Sequence, residues 1–174
     1  MRIYNLTGKQ VSHLEPFIEY CMGYLGITED QAFDLLVKTV KRATTSDVIS
    51  TSATLAAFSY YHNHTSLFDF GKKYQIELSD EGMDQLTIFQ YNSLAHELVH
   101  FEQALTKKMD VLEDETGLWR TWNGKKIVKL GKRVSYLEYR RFPWEKDARR
   151  RARIITFNFY KDKLKNYLKE RFAK

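Results

Sequence analysis

The sequence predicts an α+β fold: a small mixed sheet packed on one central helix, then a β-hairpin and a long C-terminal helix. Three patterns carry this reading. Between about residues 84 and 106, Tyr91, Leu94, Leu98, Phe101 and Leu105 recur at alternating steps of three and four, the stripe of a helix with one buried face. Upstream, residues 32–40 (AFDLLVKTV), 53–61 (ATLAAFSYY) and 73–78 (KYQIEL) are rich in β-branched and aromatic side chains and are separated by polar loops, as strands are. Downstream, Asn123-Gly124 stands between Trp119–Trp122 and Lys125–Leu130 and supplies the positive φ angles of a type I′ hairpin turn.

The remaining elements follow in order. A first helix is expected over residues 8–25, ending near Gly26. The stretch 32–40 also fits a helix. Pro143 opens the final helix, because its fixed φ suits a first turn and it lacks an N–H that would otherwise be orphaned. With 174 residues, 43% of them hydrophobic, the chain reads as one globular domain over residues 1–174. No run of eighteen apolar residues occurs, and the N-terminus MRIYNLTGKQ lacks the basic-then-apolar pattern of a signal peptide. No membrane association and no secretion by that route are expected. The single cysteine, Cys21, excludes an internal disulfide and a Cys-rich zinc module, and reads most simply as a core thiol.

Charge is distributed unevenly. Residues 1–124 carry 10 basic and 17 acidic side chains, a balance of −7, whereas residues 125–174 carry 18 and 5, a balance of +13. Such a C-terminal lobe suits nucleic acid or an acidic protein surface, with Arg149, Arg150 and Arg153 as candidate contacts; a solvated basic helix face is the simpler alternative.

The chemistry concentrates in the central helix, which reads NSLAHELVHFEQ from Asn92 to Gln103. His96, Glu97 and His100 form H-E-x-x-H, a spacing that puts two imidazoles one turn apart on one helix face, as two ligands of a single ion require. Both lie nearly opposite the apolar stripe, so they face either water or a cleft. A catalytic zinc needs three protein ligands and one open position. Glu145 is the candidate third ligand: with Ala148, Ala152, Ile155 and Phe159 it falls at steps of three and four, so it shares a face that should be buried. A buried carboxylate must be paired, protonated or metal-bound, and a pairing with Arg149, four residues on, is the alternative. Glu113, Glu115 and Glu138 have no comparable reason to point inward. His62 and His64 form an H-x-H pair in a polar loop, where exposure is the simpler expectation.

The combination of SLAHELVHFEQ, an Asn-Gly hairpin and FPWEKDARRRA resembles the small metallopeptidase-like proteins encoded by tailed bacteriophages and prophages, minimal zincins of the gluzincin type. That family pairs an HELVHxxQ helix with a later PWExEA helix, and the match spans about residues 73–152. Two departures stand out: Asp147 fills the second acidic position, and the run Arg149 to Arg153 is unusually basic. The resemblance implies a zincin-like fold, Zn2+ held by His96, His100 and Glu145, and Glu97 as the catalytic base. It also implies a peptide or protein substrate lying along residues 73–78 as an edge strand, and a location in the host cytoplasm or the virion.

The implied activity is zinc-dependent peptide-bond hydrolysis, in which Glu97 takes a proton from water and passes it to the leaving amine. Tyr136, Tyr139 and Arg140 are candidates for the donor that steadies the oxyanion, and the sequence does not choose among them. Gln103, one turn past His100, is placed either to orient a ligand or to face solvent. A different class of function also fits: a virion or nucleic-acid-associated protein that keeps the fold, uses zinc structurally and binds partners through its basic lobe.

Overall fold

The computed structural model describes residues 2–4, 8–40, 56–60, 74–79 and 88–172, which form a mixed α+β arrangement of two small sheets and five helices. A short strand, β1 (Arg2–Tyr4), leads to helix α1 (Gly8–Leu25), whose bounds match the expected 8–25. The helix stops where Gly26 takes φ +69°, a left-handed conformation that glycine adopts without strain. The Ile27 N–H then donates to the Met22 carbonyl at 3.0 Å, satisfying an end-of-helix acceptor. Cys21 is fully buried on this helix, and burial pushes its thiol pKa up, as a core thiol requires.

The stretch 32–40 is a strand in its larger part, with a one-turn helix just ahead of it. Thr28 and Gln31 form a reciprocal capping box that starts a single turn, α2 (Glu29–Ala32), and the strand β2 (Leu35–Val40) follows it. With β3 (Ala56–Tyr60) and β4 (Tyr74–Ser79) it builds a four-stranded sheet in the order β1-β2-β4-β3. β1, β2 and β4 run parallel, and β3 pairs antiparallel to β4 with Phe58 opposite Ile76. This order corrects one expectation. The strand at 74–79 does not form the sheet's edge, because β4 is hydrogen-bonded on both sides; among the described residues the edges are β1 and β3. Strand order is a tertiary property: the crossover from β2 to β4 leaves β3 outermost, and no local pattern in KYQIEL encodes that. Lys73 lies outside the described residues.

The central helix α3 (Ile88–Leu105) packs against this sheet, with Tyr74 and Phe101 of the predicted stripe in edge-to-face contact at 5.0 Å. Residues 84–87, where its start was expected, lie outside the described residues. On the other side α3 meets α5 (Pro143–Phe172), which opens on the proline as expected. Ala148 and Ala152 are fully buried between the two, and side chains this small let the helices approach closely. An aromatic cluster ties α1 to both: Phe17 meets Tyr91 at 4.7 Å and Phe159 at 4.9 Å. Past Tyr160, residues 161–172 of α5 are exposed throughout.

Between α3 and α5 lies an antiparallel meander of β5 (Met109–Asp114), β6 (Gly117–Trp122) and β7 (Lys125–Lys129). Asn123 (φ 48°) and Gly124 (φ 75°) make the predicted type I′ turn. A one-turn helix, α4 (Tyr136–Tyr139), capped by the Ser135 hydroxyl, then delivers the chain to α5. No helix among the described residues is long and apolar enough to cross a membrane.

Candidate metal centre

The packing of α3 on α5 brings three side chains to one point. His96 and His100 stand on the face of α3 that α5 covers, and Glu145 projects from the first turn of α5. His100 Nε2 lies 3.0 Å from His96 Nε2 and 2.9 Å from Glu145 Oε1, and His96 Nε2 lies 3.3 Å from Glu145 Oε2. His100 and Glu145 are buried and His96 is half-buried. Among the described residues this is the one group of three or more potential ligands that converges.

The hydrogen bonds around His100 define its tautomer. The Gln103 amide N–H2 donates to the Trp144 carbonyl at 3.1 Å and to Asp147 Oδ2 at 3.0 Å, which directs the amide oxygen at His100 Nδ1, 2.8 Å away. An amide oxygen only accepts, so Nδ1 carries a proton and, in the neutral ring, Nε2 presents a lone pair. That explains a second observation. Glu145 Oε1 is buried and has no hydrogen-bond partner, although His100 Nε2 is only 2.9 Å away. Two acceptors so close repel unless a proton or a cation lies between them.

The donor set fits a zinc ion. Tetrahedral zinc with bonds of about 2.1 Å places its ligand atoms about 3.4 Å apart, against 2.9, 3.0 and 3.3 Å here. Two imidazoles and a carboxylate also match zinc's preference for nitrogen and oxygen ligands, and three leave the fourth position open. A proton meets the same need in the protein alone. Burial pulls His100 toward neutrality, but the charge and hydrogen bonding of Glu145 outweigh it and raise the imidazole pKa. Burial likewise opposes ionisation of Glu145, and His100 and His96 override it, holding the carboxyl far below the usual range. The pairing of Glu145 with Arg149 is present at 3.5 Å, longer than either histidine contact.

Two further groups border the centre. Glu97 is 8% exposed, and its charge is felt at both His100 and Tyr139, although it is not one of the three converging ligands. The Tyr139 hydroxyl faces Glu145 and is enclosed even though part of the residue meets solvent; burial first, then the Glu145 carboxylate, push its pKa well above the ordinary value. Tyr136 is 52% exposed, with the Arg140 guanidinium over its ring at 5.6 Å, so of the three candidate donors the fold brings Tyr139 to the centre.

Gln103 is fully buried, so its place is against His100 and not in solvent. Behind it, Asp147 also accepts from Arg150 at 3.2 Å and Arg151 at 3.3 Å, and Arg151 reaches Glu102 on α3 at 2.7 Å. Burial disfavours the Asp147 charge, but the Gln103 and Arg151 contacts outweigh it and lower its pKa. The dense basic run is therefore divided. Arg149 and Arg151 are held by internal partners, whereas Arg150 and Arg153 are exposed. Glu113, Glu115 and Glu138 are exposed and are not members of the converging group. His62 and His64 lie outside the described residues.

No protein-family model, no curated protein and no solved structure matches this chain.

Proposed function

We propose that the protein is a zinc-dependent metallopeptidase with a zincin-like fold, of the phage-encoded type that its motifs resemble, acting on peptide or protein substrates. The observation that carries this reading is the convergence of His96, His100 and Glu145, with the largely buried Glu97 carboxylate close enough for its charge to act on His100. Sites that use zinc only structurally need the ligands and have no use for a base at that position. The antiparallel edge strand β3 packs over α3 and offers an extended peptide a partner strand, the role assigned in sequence to residues 73–78.

Zinc held by the three ligands would supply Lewis acidity to a substrate carbonyl and acidity to a nearby water. Glu97 takes that water's proton as it attacks the carbonyl carbon, and returns it to the departing amine. Tyr139, its phenol kept neutral by burial, donates to the oxygen that gains negative charge. Gln103 holds the His100 ring in the tautomer that presents Nε2 inward. Glu97→Gln preserves size and hydrogen bonding while removing the base, so it should keep zinc and thermal stability and lose at least ~100-fold in cleavage of an unfolded protein substrate. A parent protein that binds zinc but cleaves nothing would refute the enzymatic reading.

One observation favours a second role, as a virion or nucleic-acid-associated protein with a structural zinc. Residues 161–172 form an exposed stretch of α5 that carries five basic and two acidic side chains. Such a surface binds nucleic acid through phosphate contacts, so retention on DNA should fall steeply with salt.

A further inference from the structure

Behind the ligand trio, a chain of polar contacts runs from His100 into α5 and returns to α3. Gln103 is fully buried, and its amide meets His100 Nδ1 at 2.8 Å, the Trp144 carbonyl at 3.1 Å and Asp147 Oδ2 at 3.0 Å. The two partners on α5 only accept, so the NH2 group faces them and the amide oxygen faces His100. Asp147 is itself held in place. Arg151 Nη1 donates to Asp147 Oδ2 at 3.3 Å and to Glu102 Oε2 at 2.7 Å, and Arg150 Nη2 donates to Asp147 Oδ1 at 3.2 Å. Glu102 directly precedes Gln103 on α3, and Lys108 Nζ donates to its other oxygen at 3.2 Å. The contacts therefore close a ring across the α3 and α5 interface, from Gln103 to Asp147 to Arg151 to Glu102.

We infer that Asp147 is a positioning residue for the metal centre: its carboxylate fixes the Gln103 amide, and through it the His100 ring, in the orientation that turns the Nε2 lone pair toward Glu145. This deepens the metallopeptidase reading above and rests on it. The competing state is well defined. An amide rotated by half a turn would set its oxygen against the Trp144 carbonyl and the Asp147 carboxylate, and its NH2 against His100 Nδ1. Nδ1 would then accept, Nε2 would carry the proton of the neutral ring, and no lone pair would face the centre. In that state the amide oxygen would lie where the NH2 now sits, 3.0 Å from an anionic acceptor and 3.1 Å from a neutral one. Hydrogen bonds to a charged acceptor are the stronger kind, so Asp147 contributes more than the Trp144 carbonyl to holding the amide as observed. Arg151, tethered to Glu102, keeps that carboxylate within reach. Asp147 is not one of the converging ligands and acts through Gln103.

The test reads the His100 ring directly. In protein carrying nitrogen-labelled histidine, the His100 Nδ1–H resonance, assigned by its absence in His100→Asn, is followed by NMR for exchange with solvent, with and without zinc. Zinc affinity is measured on the same variants by chelator competition. Asp147→Leu removes the acceptor and excludes a replacement water, whereas Asp147→Asn keeps an oxygen for Gln103. The inference predicts that Asp147→Leu speeds Nδ1–H exchange and weakens zinc binding, each by about tenfold, while Asp147→Asn stays within about threefold of the parent in both. In a Gln103→Leu background Asp147→Leu should add no further loss of zinc affinity, because the path through the amide is already cut. Asp147→Ala, which suits a helix, replaces the leucine variant should that fail to fold. An unmoved resonance, an asparagine variant as impaired as the leucine one, or equal losses of affinity in the two backgrounds would overturn the inference. Because the resonance is read without metal, the two claims separate: zinc binding with an unmoved resonance removes the positioning role alone, whereas a responsive resonance in protein that takes up no zinc removes the metallopeptidase reading.

Discussion

Replacing Gln103 with leucine tests whether the centre is built in advance. Leucine matches the buried amide in size but can neither accept from His100 Nδ1 nor donate to the Trp144 carbonyl and Asp147, contacts of 2.8, 3.1 and 3.0 Å. Two buried hydrogen bonds and a part-buried one to a charged acceptor are together worth about 3–5 kcal/mol. That is a large part of the about 5–15 kcal/mol that stabilises a typical domain. At about 2–4 °C per kcal/mol for a chain of this size, Tm should fall by about 6–20 °C. Zinc affinity, read by chelator competition below the new Tm, should fall about 10–100-fold because the His100 ring loses its tautomer and orientation. Gln103→Glu gives a sharper contrast. It keeps an acceptor for His100 but sets a carboxylate against Asp147 and the Trp144 carbonyl, so it should destabilise at least as much as leucine. If Gln103→Leu left Tm within about 2 °C and zinc affinity unchanged, the assigned positioning role would be wrong.

Further outcomes follow from the fold. Cys21, fully buried with a raised thiol pKa, should resist alkylation in native buffer and react only as the protein unfolds, so labelling rates should track global stability. Two glycines should respond with opposite signs. Gly124→Ala places an L-residue at φ +75° with no neighbour within 4 Å of the added methyl, so the backbone alone accounts for a loss of about 1–2 kcal/mol. Gly23→Ala, inside α1 and equally open, should gain about 0.5–1 kcal/mol. Denaturant titration of the pair reads both signs in one experiment.

What the sequence disclosed divides by the range of the interactions involved. Helix α1, the Asn-Gly turn and the Pro143 start of α5 are each set by local chemistry, and the structure reproduces them. The buried face of α5 was also legible, because Glu145, Ala148, Ala152, Ile155 and Phe159 repeat at helical spacing and all five are buried. Elements held by pairing were harder to read. β1 has only three residues and exists through its register with Leu36 to Lys38, and β5 is a charged segment, MDVLED, made a strand by its pairing with β6. The sheet order, which moved the edge from 73–78 to β3, depends on a crossover that no window of sequence contains. In the site, the meeting of His96, His100 and Glu145 followed from helical spacing, but the placing of Tyr139 rather than Tyr136 beside Glu145 depended on the brief turn of α4. The role of Asp147 was not legible, because its partners are Gln103, 44 residues away on another helix, and Arg151, one turn on.

The most direct test of the account is the metal itself, measured by elemental analysis of protein purified without added zinc. The convergence of His96, His100 and Glu145 predicts about one zinc per chain, with most of it lost in Glu145→Ala and in His100→Ala. Protein that carries no zinc and acquires none on titration, or variants that retain the full complement, would contradict it.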